Sequence, residues 1–318
     1  MKKVVLSAVA ALAFAAPAFA ADMPVKAVKA PVAVATSPWD IAFGAGIASD
    51  YIFRGITQSN HKPSVSAYFE PRFNVTKDLQ LYVGIAGESI SFLNRAAAEI
   101  DLYGGARLTL GPIVLDGGAW YYWYPGGQCF NTAPLCAVTN LPPNGFNVMK
   151  SDVSFWEVYF KPTWNVNDQL AIGGNLFYTN SFLHSGAPGT YVSVTAKYTA
   201  PEKMALGPFG WYLSGEFGRQ YLGTTDAFYA VAGFPNGIDY ADYNTWNVGL
   251  GLTWKVFTLD LRYSGTDLSK GNCNAFTGDF TASGVASTPI NPGGPSSNWC
   301  GNVFLAKLSV DLNLGNLK

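Results

Sequence analysis

The stretch WDIAFGAGIASDYIFRGITQS, Trp39 to Ser59, decides how this chain is read. In its first half, Trp39, Ile41, Phe43, Ala45 and Ile47 fall on one parity, while Asp40, Ala42, Gly44, Gly46 and Ala48 fall on the other. Successive side chains of a pleated strand point to opposite faces, so this period predicts a β-strand with one apolar face and one small or polar face. A soluble sandwich strand shows the same alternation. The remainder of the chain separates the two.

The pattern returns along the whole sequence. Val65, Ala67, Phe69, Pro71 and Phe73 alternate with Ser66, Tyr68, Glu70, Arg72 and Asn74; Leu79, Leu81, Val83 and Ile85 alternate with Gln80, Tyr82, Gly84 and Ala86. Similar runs cover residues 99–110, 113–123, 156–164, 169–178, 191–199, 209–220, 244–254, 256–264 and 303–314. That gives about twelve strands of roughly ten residues, the length a tilted membrane strand needs. Composition agrees. Charged residues make up 13% of the chain, about half the usual soluble share, with 15% aromatics and 34 glycines. No apolar run reaches the ~18 residues of a membrane helix. The net charge of −1 supplies no basic field for nucleic acid.

Lys2 and Lys3, the apolar run Val4 to Ala16 and the Ala18-Phe19-Ala20 site form a secretory leader over residues 1–20. Residues 21–38, rich in Ala, Val, Pro and Lys, read as a disordered periplasmic linker, and 39–318 as the folded domain. Connections near 75–78, 111–112, 166–168 and 255 are tight; those at 55–64, 89–98, 125–151, 179–190, 221–243 and 265–302 are long. Short periplasmic turns facing long extracellular loops are the plan of an outer-membrane barrel. The expected fold is an all-β, transmembrane, antiparallel up-and-down β-barrel of about twelve strands. Trp39 and Tyr51, twelve positions apart, are spaced for two interfacial aromatic girdles, with Tyr51 and Phe53 at the outer one.

Charges on the lipid face near mid-depth cost about 2–4 kcal/mol each, so the charged parity must face inward. It carries Asp40, Glu70, Glu88, Glu99, Asp101, Asp116, Glu157, Glu216, Asp260 and Asp311 against Arg72, Arg107, Lys161, Lys197, Arg262 and Lys307. Ten acids against six bases favour cations. By the same parity Asp50, Arg54 and Gln58 face inward at the mouth. Asp50 and Arg54 lie ~13 Å apart along a strand, too far to pair with each other. The alternative to a pore lining is a salt-bridged plug filling a closed barrel.

Cys129 and Cys136 share one long loop, and Cys273 and Cys300 another. Three pairings are possible, and export to an oxidising compartment favours the two local disulfides. Neither spacing is that of a zinc site, and no metal or cofactor is expected. His61 and His184 both fall in outer loops; His184-Ser185 has no spacing that identifies a catalytic dyad. No enzyme is read here.

The run Ser49-Asp50-Tyr51-Ile52-Phe53-Arg54-Gly55-Ile56-Thr57-Gln58-Ser59 resembles the SDYxFRGxxQS hallmark of the TorF family of proteobacterial porins. The resemblance implies an outer-membrane barrel with passive transport and no defined substrate. Small hydrophilic solutes or ions, membrane lipid and lipopolysaccharide are then the expected partners. A closed barrel acting through its surface loops is the second reading, and an outer-membrane hydrolase the third.

Overall fold

The computed structural model describes residues 38–130, 147–230 and 233–314. The expected leader, the expected linker up to residue 37, Cys136 and residues 315–318 lie outside them. Twelve strands close into one antiparallel barrel: β1 (Trp39–Ala48), β4 (Ser64–Asn74), β5 (Leu79–Glu88), β6 (Glu99–Leu110), β7 (Ile113–Trp123), β8 (Phe155–Asn165), β9 (Leu170–Thr179), β10 (Gly189–Thr199), β11 (Gly210–Leu222), β12 (Tyr243–Trp254), β13 (Phe257–Thr266) and β14 (Val303–Asn313). Each pairs with its neighbour in the chain, and β14 returns to β1 over Ala42↔Asn313 to Ala48↔Lys307. Closure leaves no open edge, so every strand finds backbone partners without water, as a bilayer requires.

Parity sorts the two faces as the sequence requires. Val65, Val83, Ile85, Leu102, Val194, Phe217 and Leu250 are exposed on the outside, while Tyr82, Tyr103, Trp120, Tyr159 and Tyr212 are buried inside. Trp39, Trp164 and Trp254 are exposed at the turn end, and Tyr121, Trp123 and Trp156 at the loop end. These form the two aromatic rings of a membrane barrel. Tight turns hold the register: Gly111 takes φ 60°, which a two-residue II′ hairpin needs at its first central position. The repeated Tyr-Phe-x-Pro strand has a matching geometry. Opposite Pro71 and Pro162, which lack an N–H, the ladder skips two pairings, between Phe69↔Ile85 and Arg72↔Tyr82 and between Phe160↔Leu176 and Thr163↔Gly173.

The structure departs from the expectation directly after β1. Tyr51 and Phe53 do not reach the outer girdle: Tyr51 is buried, and Phe53 packs against Tyr122 and Phe182 inside the barrel. Residues 49–59 leave the wall and fold into the lumen as a small hairpin, β2 (Ile52–Phe53) with β3 (Ile56–Thr57). The alternation that fixed their expected side of the wall holds only while the strand continues. A helix, α1 (Lys270–Thr277), forms in the last long loop, capped by the Ser269 side chain on the Asn272 N–H and by Gly278 in the left-handed region.

Candidate functional site

The hairpin turns on Arg54 and Gly55, with φ 47° and 77°. Two consecutive left-handed residues between paired strands match the type I′ turn, and glycine is the favoured second residue. Gly55 has a further constraint, since a Cβ there would sit 2.8 Å from the Gly265 carbonyl oxygen. The turn places Arg54 at the tip, in the centre of the barrel. Its guanidinium donates from Nη1 and Nη2 to both oxygens of Glu157 on β8, at 2.9 and 2.7 Å, and from Nη1 to Gln220 Oε1 on β11 at 3.0 Å. The Phe53 and Tyr191 rings each lie 4.6 Å from its Cζ, and Phe177 lies 5.0 Å away. Arg54 and Glu157 are 0% exposed. A two-point charge pair held between rings in a water-free site is the strong form of this interaction.

The base of the hairpin is tied to itself and to the last loop. Asp50 accepts from Thr57 Oγ1 at 2.6 Å and Ser59 Oγ at 2.9 Å, and Gln58 Nε2 donates to the Ile56 carbonyl. Thr57 N donates to Trp299 O, and Ile56 bridges Cys300, which is joined to Cys273 by a disulfide. Cys129 is disulfide-bonded as well. His61 faces Asp50 Oδ2 at 2.7 Å with Nδ1 and the Asn298 carbonyl at 2.8 Å with Nε2. Two acceptors favour the imidazolium, and the hydrogen bond to Asp50 is the main cause of a pKa raised above the usual 6.5.

Below the hairpin the inward charges form paired networks. Glu70 accepts from Arg72 Nε at 2.6 Å and from Arg107 Nη1 at 3.0 Å; Arg107 Nε also reaches Asp116 at 3.3 Å, with Lys161 3.9 Å from the same carboxylate. Tyr82 donates to Asp116 and lies in a short hydroxyl contact with Tyr159. Across the lumen Arg262 holds Asp260 and Asn247, Tyr212 donates to Asp260, and Lys197 sits over the Tyr212 ring. Glu216 accepts from Tyr191 and Asn175, and Lys307 is buried. Near the periplasmic end Asp40, Lys161, Thr163, Lys197 and Asp311 are partly exposed, whereas the inward side chains around Arg54 are sealed.

Glu99 and Asp101 join Glu88 in a group of three buried carboxylates, oxygen donors of the kind that hold a hard cation. Sequence reading placed all three inward but not together. Their convergence depends on the β5–β6 register, which periodicity does not give. It also missed Gln220, Tyr191 and Phe177 as partners of Arg54. The His184-Ser185 pair does not form a nucleophile–base contact: His184 Nδ1 lies 3.6 Å from Asp152, and Ser185 Oγ donates to the Phe182 carbonyl. Against the hairpin lies a pocket lined by Phe53, Phe92, Tyr124, Phe155, Phe276 and Trp299, among others.

A family model described as a bacterial protein of unknown function (Gcw_chp) matches residues 32–287. No curated protein matches the chain. Among solved structures it is similar to a COG4313 outer membrane channel from Pseudomonas putida F1, at 11% identity and TM-score 0.42, over 88% of this chain and 97% of that one. It is similar to the NanC porin at 9% identity and TM-score 0.39, over 85% and 97% of the two chains. It is also similar to LpxR from Salmonella typhimurium at 8% identity and TM-score 0.38, over 85% and 99%.

Proposed function

The chain belongs to the Gcw_chp family of bacterial proteins and is an outer-membrane β-barrel, and from that premise we infer a channel for small hydrophilic solutes or ions, shut at rest by residues 49–59. One observation carries the reading. A lumen lined with charge is sealed by a short tethered hairpin, and the hairpin's tip is fastened by one bidentate ion pair. Buried ion pairs seldom stabilise a protein more than apolar packing of the same volume, so a barrel needing only a filled interior has no use for this lining. A lumen that hydrates when the hairpin leaves does need it. Asp50, Arg54 and Gln58 form the gate in this reading. The inward residues from Glu70 to Lys307 line the path, and their acid surplus favours cations. The resemblance of residues 49–59 to the TorF hallmark supports the same assignment.

The complete exclusion of solvent around Arg54 favours a second reading, a permanently closed barrel that acts through its outer loops. Planar-bilayer recording distinguishes the two. The full chain is expected to give rare, brief steps. A variant with residues 50–59 replaced by a Gly-Ser linker is expected to give stable ohmic steps, with a cation-directed reversal potential in a salt gradient. Silence from both, with the variant correctly folded by heat-modifiability on gels, overturns the channel. A chloride-directed potential overturns the cation preference alone.

A further inference from the structure

Three carboxylates meet inside the wall at the loop end of β5 and β6. Register sets Glu88 directly opposite Glu99, and Asp101 follows Glu99 on the same inward parity. One oxygen from each lies within 4.8 Å of the other two, and the residues are 4%, 2% and 1% exposed. Like charges facing each other across a ladder repel, and excluding water makes each further ionisation costlier.

The surroundings do not supply a matching charge. Arg54 is committed to Glu157, and Arg107 to Glu70 and Asp116. Glu99 accepts from Tyr51 at 2.5 Å and Tyr124 at 2.8 Å, which fixes its plane but brings no positive charge. Both oxygens of Glu88 and Oδ1 of Asp101 are buried without a hydrogen-bond donor. Lys307 acts on Glu88 through space only. A buried carboxylate left without donors is rare, and it calls for a bound ion or an equivalent partner.

We propose that Glu88, Glu99 and Asp101 bind a hard divalent cation of calcium size. The donor set is all oxygen, the choice of calcium and magnesium rather than of softer metals. Burial separates those two: magnesium dehydrates reluctantly and usually keeps several waters, whereas calcium accepts a set of protein oxygens, so three residues shielded from solvent suit the larger ion. With one oxygen from each carboxylate within 4.8 Å of the others, a single ion can be shared by all three. Two positive charges offset two of the three carboxylates, and both lone-pair-bearing oxygens of Glu99 remain able to ligate beside their tyrosine bonds. The site stands whether or not the lumen conducts.

The test uses the full chain refolded in detergent free of lipopolysaccharide and stripped with a chelator. Terbium, excited through tryptophan, reports occupancy, and calcium and magnesium are added as competitors; heat unfolding is followed with calcium or with chelator. One terbium per chain is expected, displaced by calcium at no more than about a tenth of the magnesium concentration, with unfolding about 3–5 °C higher in calcium. Glu88→Gln and Asp101→Asn should each weaken calcium binding at least tenfold. Each should also raise the unfolding temperature of the chelated protein, because a repelling charge is gone; a merely damaged barrel cannot show that gain. No calcium-dependent shift in the wild type, or a shift that persists in either variant, overturns the proposal in favour of protons shared within the cluster.

Discussion

Replacing Arg54 by alanine leaves the Glu157 carboxylate in a sealed site with no counter-charge. Breaking a buried ion pair from one side costs about 3–5 kcal/mol, because the surviving charge keeps its desolvation cost and loses its partner. The contacts of the guanidinium with the Phe53 and Tyr191 rings, each at 4.6 Å, are lost in the same step and are part of that figure rather than additional to it. Alanine gains nothing from the backbone, since φ 47° is as unfavourable for it as for arginine. A loss of about 4 kcal/mol shifts the docked-to-undocked ratio of the hairpin by roughly a thousandfold. The measurement is single-channel conductance together with protease resistance of residues 49–63. Arg54→Ala should conduct in sustained steps and be nicked in that segment, while the barrel keeps its heat-modifiable gel shift. Arg54→Met combined with Glu157→Leu removes both charges and should restore closure to within about tenfold. If Arg54→Ala matches the wild type in both assays, or the double variant conducts as freely as Arg54→Ala, the ion pair is not the fastening.

Three further outcomes follow from other parts of the molecule. His61 has a folded pKa raised above 6.5, so the stabilisation it gives the first loop is fully present below that value and is lost as pH rises through the raised one. Protease nicking between residues 55 and 64 should quicken across that window, and a step that survives in His61→Ala removes the histidine from the account. Val83, mid-strand and 62% exposed on the outer face, should tolerate arginine poorly, with about 2–4 kcal/mol lost in denaturant titration of folding into vesicles. An unchanged midpoint would mean that this face does not meet hydrocarbon. Reducing Cys273–Cys300, whose 27-residue separation corresponds to roughly 3–4 kcal/mol in the chain-entropy model, should free the last loop to proteolysis while the strands stay protected. Equal protease resistance with and without reductant refutes that.

The wall was legible because a period of two is a local property. Trp39 through Ala48 alternate, and in the structure Trp39, Ala45 and Ile47 of one parity are exposed while Ala42 of the other is buried. The same reasoning failed at Tyr51 and Phe53, where the chain turns inward and parity no longer reports position. A sign was present in Arg54-Gly55 between Ile52-Phe53 and Ile56-Thr57, a hairpin turn inside what looked like a strand extension. The residues that receive the hairpin were not visible in this way. Glu157 and Gln220 lie 103 and 166 positions from Arg54, and no local pattern records which distant side chains a closed barrel brings together. The acid group at Glu88, Glu99 and Asp101 was hidden for a related reason: alternation names the face, and only register names the neighbour.

The inserted hairpin also bears on how the barrel is assembled. β1 and β14, the first and last strands, must find each other across the whole domain, and a slip of one residue would turn every lipid-facing side chain of β14 inward. Seven pairings join them in the seam. Beyond its end, the Ser49 N–H bonds the Ala306 carbonyl, Thr57 bonds Trp299, and Ile56 bridges Cys300, immediately before β14 begins. The segment that occupies the lumen thus also holds the stretch leading into the final strand, and its contacts agree with only one register of the seam.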